Sequence, residues 1–482
     1  MPIDPLTSTR RRLLQTTACG FGSLAWSAMR GQSAAAEATS SGSPTNPLAA
    51  KPPHFAPRAK RVIFLFMSGG PSQVDSFDPK PLLAREDGRM MHFNDPRSVA
   101  KTGQGAEQRV MKELWKFRRY GESGLPVSDL FPHMGSIVDD LCVVRSMATE
   151  GVAHGPATIF LHTGSTAFVR PSMGSWVNYG LGTENENLPG FVSLSPALGN
   201  GGPRNYGNAF LPAAYQGTPI GRSGIPARES RIKNLADLSV DSDDRHRRFE
   251  MIRRLNAAQA SDRPADSEWD AVLASYELAW RMQTAAPSVL DLAGESRETL
   301  KLYGIGEEPT DNYGRLCLMA RKLVESGVRY VQVNYADNTN NPSWDQHSNL
   351  PKHAEHARAV DKPVAALVRD LKARGLLEDT IVWWGGEFGR TPYAERNGTG
   401  RDHNPGGFTV WLAGGGFKAG TAFGATDEFG FQAVENRVHM HDLHATILHA
   451  LGLDHEQLTY RYAGRDFRLT DVHGEVVHGL FA

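Results

Sequence analysis

The sequence predicts an α/β fold: a mostly parallel central sheet covered by helices on both faces. Three observations point to it. Short apolar runs rich in β-branched and aromatic residues recur at Arg61–Met67, Leu141–Val144, Phe191–Leu194, Arg329–Val333, Ile381–Trp384 and Phe408–Leu412. These runs lack the polar alternation of a half-solvated strand, so each is expected to be buried on both faces. Stretches with helical apolar spacing separate them, as in βα units. The chain has 482 residues, 40% of them hydrophobic and 22% charged, which suffices for a large core. Its net charge of −1 selects neither nucleic acid nor an anionic membrane.

The N-terminus reads as an address. Thr9-Arg10-Arg11-Arg12-Leu13-Leu14-Gln15 resembles a twin-arginine export signal, an apolar segment runs to Ala28, and Ala34-Ala35-Ala36 offers a small-residue cleavage site. Residues 1–36 are therefore assigned to a signal peptide read by the twin-arginine machinery, and the destination is periplasmic or extracellular. Residues 37–57, mostly Ala, Ser, Thr, Pro and Lys, read as a disordered linker. The domain proper is expected over 58–482. Past the signal only Cys142 and Cys317 remain, both in apolar contexts that suit buried thiols better than a disulfide. No later stretch suits a membrane span.

Arg61–Met67 is the first central strand. It ends at Ser68-Gly69-Gly70-Pro71, where glycines would serve either a tight turn or the approach of backbone N–H groups to an anion. Asp75 and Asp78 follow. Residues 80–125 show no steady period, and Ser128–Val138 reads as a short helix. The strand at Leu141 leads to His154-Gly-Pro-Ala-Thr-Ile-Phe-Leu-His-Thr-Gly164, a helix with Pro156 in its first turn. His154 would thus stand at a helix N-terminus, where an oxyanion is stabilised. Ser172–Leu181 is another helix, and residues 196–326 form a loop and helical excursion. After Arg329–Val333 come Asn334 and then Trp344-Asp345-Gln346-His347. His353–Leu371 is a long amphipathic helix. Ile381–Trp384 then leads through Gly385 and Gly386 to Glu387, with Arg390, Asp402 and His403 on the connection to Phe408. A solvated loop with an ion pair would carry the same residues. His439–Gly452 is a last helix.

In an open α/β sheet, ligands gather outside the carboxyl ends of the strands. That rule would bring together Asp75, His154, Asp345, His347, Glu387, Asp402 and His403, an inventory suited to a divalent metal.

The motifs GGPSQVDSFDPK, AHGPATIFLHTG, WDQH, GGEFGRTP, GRDHNPGGFTVWLAGGG and HDLHATILHALGLDH, from about residue 60 to the C-terminus, resemble the sulfatase-like domain-of-unknown-function family numbered 1501, within the alkaline phosphatase/sulfatase superfamily. The resemblance implies an alkaline-phosphatase-like three-layer sandwich and a divalent metal, zinc ahead of calcium or manganese. It assigns Asp345, His347, Glu387 and His403 to the metal, with Asp75 and Asp402 as additional candidates. His154 occupies the nucleophile slot as ligand, base or nucleophile. Arg390 and the Gly69-Gly70 backbone would meet substrate oxygens. The Cys or Ser that matures to formylglycine in sulfatases is absent, as is the Arg that follows it there, for Thr158 stands in that place. Phe388 replaces a ligand. The implied function is an exported metal-dependent hydrolase of an anionic sulfate or phosphate ester, such as a sulfated polysaccharide. The alternatives are a degenerate relative that binds a sugar or polyanion without turnover, and an exported structural protein.

Overall fold

The computed structural model describes residues 47–482 apart from 97–98, 100, 102, 233–240, 262–266, 337–341 and 396–397. The expected export signal, residues 1–36, and the expected linker as far as residue 46 lie outside the described residues.

Among the described residues nine strands build the central sheet: β1 (Arg61–Met67), β2 (Leu141–Ala148), β3 (Phe191–Leu194), β4 (Thr218–Ile220), β5 (Tyr330–Tyr335), β6 (Thr380–Gly385), β7 (Phe408–Ala413), β8 (Thr421–Phe423) and β9 (Val438–His439). The order is β8-β2-β7-β6-β1-β5-β3-β4, with β9 also on β2. All these pairings are parallel except those of β7, which runs antiparallel to both β6 and β2. Every residue of β6 and β7 is buried, and every residue of β1 but Arg61 is at most slightly exposed. Neighbouring residues point to opposite faces, so both faces are covered. Trp383 stacks on its register partner Phe64 with ring centroids 3.8 Å apart, while Trp384 turns the other way, edge-on to Phe77 and Phe131.

The helices that matter for the site are α1 (His154–Thr163), α2 (Met173–Leu181), α3 (Asp311–Glu325), α4 (His353–Ala373) and α5 (Met440–Ala450). α1 follows β2 and stops at Gly164, whose left-handed φ of 68° closes the last turn. α3 and α4 pack together, and Arg321 of α3 reaches Asp370 of α4 at 3.1 Å. Among the described residues no helix is long and apolar enough to cross a membrane. Cys142 and Cys317 are buried free thiols, as their apolar contexts led us to expect.

Three expectations are corrected. Residues 47–57 are docked rather than disordered: Leu48 is buried, and Lys51 Nζ donates to the Tyr179 carbonyl at 2.7 Å. Ser128–Val138 is not one helix. A strand ends at Ser128, and only Pro132–Gly135 is helical before a 3-10 turn. Pro132 accounts for this, because it disfavours helical backbone at Phe131, which sits at φ −128° and ψ 57°. The connection after Glu387 is a ribbon: Gly389–Ala394 pairs antiparallel with Arg401–Asn404.

The register aligns the strand ends. Phe66 of β1 is opposite Gly385 of β6, and Met67 is opposite Tyr335 of β5. β2 runs parallel to them, and antiparallel β7 begins at the same edge.

Candidate metal centre

Each member of the cluster comes from a connection at that edge. His154 is the first residue of α1, preceded by extended Ala153. Asp345 and His347 lie on the connection between β5 and α4. Trp344 N–H donates to the Ser68 carbonyl at 3.1 Å, pinning this connection to the end of β1. Gly69 makes the approach feasible: its φ is +111°, and a Cβ there would stand 2.6 Å from Asp345 N. His403 is on the ribbon, directly opposite Arg390. Opposed residues of an antiparallel pair share one face, so both side chains reach Asp345.

Ligand atoms of His154, Asp345, His347 and His403 lie within 4.8 Å of one another. Asp345 Oδ1 is 3.0 Å from His347 Nε2 and 3.2 Å from His403 Nε2, and its Oδ2 is 3.1 Å from His154 Nε2. The two rings of His347 and His403 meet Nε2 to Nε2 at 2.9 Å. Each Nδ1 is turned to an acceptor: His154 to Glu387 Oε1 at 2.6 Å, His347 to Glu395 Oε1 at 3.0 Å, His403 to the Val152 carbonyl at 2.8 Å. A neutral imidazole that donates through Nδ1 carries its lone pair on Nε2. Three Nε2 atoms therefore converge on one carboxylate, where neutral rings would offer their lone pairs to a cation.

Charge follows the same arrangement. Burial would raise Asp345, but the three imidazoles and Arg390 outweigh it and hold the carboxyl far below the usual carboxylate range. Burial lowers His154, yet the Asp345 and Glu387 carboxylates prevail and leave it raised; His347 is raised in the same way by Asp345. His403 goes the other way, pushed down chiefly by burial. The donor set fits a divalent cation. It offers three imidazole nitrogens and one ionised carboxylate, each ring is held at its far nitrogen as metal-binding histidines are, and His154 Nε2 is buried without a well-directed hydrogen bond.

The grouping departs from the expected one in one member. Glu387, expected as a ligand, stands behind His154: both its oxygens accept the Gly69 N–H, at 3.0 and 3.1 Å. His154 stands among the clustered donor atoms instead. The Gly69 N–H is thereby committed to a protein carboxylate, not to an anion, and the carbonyls of Gly69 and Gly70 both face Arg390. Arg390 is likewise not poised for substrate. It is fully buried, and besides those carbonyls it donates to Asp345 Oδ1 at 2.8 Å, the Trp344 carbonyl at 3.3 Å and the Arg401 carbonyl at 3.2 Å. Asp75 is not among the clustered donors. It pairs with Arg401 Nε at 2.8 Å, both fully buried, and accepts the Ser72 hydroxyl and the Leu114 N–H. Asp402 is at the margin, 3.7 Å from His347 Nδ1, and it accepts the His403 N–H at 2.7 Å.

Two participants carry no signal in the sequence. Glu395 holds His347, yet it sits among polar residues with no motif. The Val152 carbonyl holds His403, and backbone atoms leave no trace in residue type. Phe388 stacks on His403 with centroids 4.3 Å apart and walls the cluster.

A family model described as "Protein of unknown function (DUF1501)" matches residues 59–481. The chain belongs to that family. No curated protein matches this DUF1501 chain. Solved structures similar to it include Ps i-CgsB, at 12% identity over 82% of this chain and 72% of that one, with a TM-score of 0.38. The PsFucS1 sulfatase from Pseudoalteromonas sp. is similar at 11% identity over 83% and 69%, TM-score 0.33. The alkaline phosphatase from the Antarctic bacterium TAB5 is similar at 10% over 82% and 98%, TM-score 0.30. None of the three superposes closely enough to transfer a residue role to the DUF1501 chain.

Proposed function

We propose that this protein is an exported, metal-dependent hydrolase of a sulfate or phosphate ester that works without formylglycine. The observation that supports it most is the convergence of three imidazole Nε2 atoms on Asp345, with every Nδ1 tied to an acceptor. His154, Asp345, His347 and His403 would hold the ion, and a nitrogen-rich set favours zinc over calcium or manganese. When bound, a divalent cation supplies Lewis acidity to an ester oxygen and acidifies water. Glu387 keeps the proton of His154 on Nδ1, Glu395 does the same for His347, and Arg390 orients Asp345. His154 is better suited to a ligand than to a nucleophile, because both its nitrogens face carboxylates. The substrate class, sulfated polysaccharide included, rests on the resemblance of the motifs. Delivery outside the cytoplasm by the twin-arginine machinery rests on Thr9–Gln15.

The burial of Arg390 favours a second reading, in which the protein binds a sugar or polyanion and does not turn it over. Metal analysis of the purified protein, with hydrolysis of p-nitrophenyl sulfate and p-nitrophenyl phosphate before and after chelation, separates the two. The hydrolase reading expects about one tightly held ion per chain and activity that chelation removes and the ion restores. A bound ion without hydrolysis of either ester leaves the second reading. No ion after supplementation removes both.

A further inference from the structure

A second cleft opens at the same sheet edge, with about 10 Å³ of room, the size of a single water or hydroxyl group. Its walls are Ser68 after β1, Thr158 in α1, Gln332 and Asn334 in β5, Asn205, and the backbone around Asn200. It carries no charged side chain. Three of its side-chain oxygens are buried without a hydrogen-bond partner among the described residues: Thr158 Oγ1, Asn205 Oδ1 and Gln332 Oε1. Those residues are 1%, 8% and 1% exposed. Buried polar atoms are nearly always paired, so three orphans at one cleft call for an explanation.

The surrounding network sets what they require. Asn334 Nδ2 donates to the Leu194 carbonyl at 2.7 Å and to Ser193 Oγ at 3.1 Å, which turns its Oδ1 to Gln332. Gln332 Nε2 donates to that oxygen at 2.7 Å, leaving Oε1 as a free acceptor. Asn205 Nδ2 donates to the Asn200 carbonyl at 3.1 Å, leaving Oδ1 free in the same sense. Two fixed acceptors and a rotatable hydroxyl call for an uncharged donor. The loop that brings Asn205 holds Ser195, Asn200 and Ala209 at φ of 51°, 47° and 46°, a strained conformation for non-glycine residues.

We propose that this cleft seats a hydroxyl group of a polyol, and that it binds the alcohol portion of the ester handled at the metal centre. Ser68 immediately precedes Gly69, which holds Glu387, and Thr158 is one helical turn from His154. The ester rests on the hydrolase reading; hydroxyl binding does not.

The test uses the purified protein with galactose, glycerol and myo-inositol as probes, read by saturation-transfer NMR titration with and without chelator. At least one probe binds saturably and keeps its affinity after chelation. Thr158→Val and Gln332→Met each weaken that binding at least tenfold. Thr158→Val leaves the melting temperature unchanged or raises it, because the lost hydroxyl had no partner. Should Gln332→Met fail to fold, Thr158→Val decides alone. The proposal is overturned if none of the probes binds saturably, if Thr158→Val binds like the parent, or if a crystal soaked in galactose shows only an ordered water on the three oxygens. Polyol binding without ester hydrolysis would leave the cleft standing and remove the hydrolase reading.

Discussion

His347 Nε2 lies 2.9 Å from His403 Nε2, while both rings turn Nδ1 to an acceptor. Two neutral rings in this arrangement oppose their lone pairs, and only a shared proton or a cation relieves that. Metal binding should therefore stabilise the fold through relief at this pair as well as by mass action. Zinc is expected to raise the melting temperature of the parent, whereas His403→Asn should lose the rise while its metal-free form melts at or above the metal-free parent. Differential scanning fluorimetry with and without zinc checks this. An equal rise in the variant would remove His403 from the coordination sphere.

Glu387 acts on the centre through His154. Glu387→Gln keeps the shape and an acceptor for the Gly69 N–H but removes the carboxylate charge that faces His154 Nδ1. Metal affinity should fall about 10–100-fold with the fold intact. Competition against a chromophoric chelator measures it, and parental affinity would mean that the carboxylate does not tune the ring.

Arg390 is a clamp between the first strand end, the Asp345 connection and the ribbon. Arg390→Lys retains the charge but cannot span those acceptors. It should destabilise the protein by roughly 1–3 kcal/mol, as buried acceptors left without their donor do. Urea denaturation reads this out. A variant with parental stability and lowered turnover would return Arg390 to the substrate-binding role expected from the motif.

The core carries an acid-sensitive pair. Burial pushes His162 and His444 from 6.5 down to about 3. Both rings stay neutral in the folded chain while the unfolded chain takes up protons below about pH 6.5. Stability should fall as pH is lowered from about 6.5 toward 3, by about 1.4 kcal/mol per pH unit for each ring. His162→Leu should make the decline shallower, and a denaturant series at pH 6.5, 5.5 and 4.5 would show it. An unchanged slope would mean that this ring does not contribute.

The proposed export would depend on the guanidinium groups of Thr9–Gln15. Replacing Arg10, Arg11 and Arg12 together with Lys should leave the protein in the cytoplasm, since the transport machinery reads Arg specifically. Cell fractionation decides it, and unchanged export would show that the segment is no such signal.

The strands are legible in the sequence because burial on both faces demands continuous apolar runs, and few residue types satisfy that demand. Arg61–Met67, Phe191–Leu194 and the start of α1 at His154 lie where local pattern places them. The strand-end rule likewise gathers Asp345, His347, His403 and His154 at one edge, because sheet topology alone decides which ends meet. Roles within that edge are a different matter. A carboxylate at a strand end has the same residue type whether it binds a cation or orients a ring. Only the Gly69 N–H and His154 Nδ1, distant in sequence, put Glu387 behind the imidazole. Arg390 near a cluster reads as a substrate contact, yet its acceptors, mostly backbone carbonyls, already occupy it. Tertiary structure decides these points because the hydrogen-bond partner of a side chain is set by packing between segments hundreds of residues apart, which no local pattern encodes.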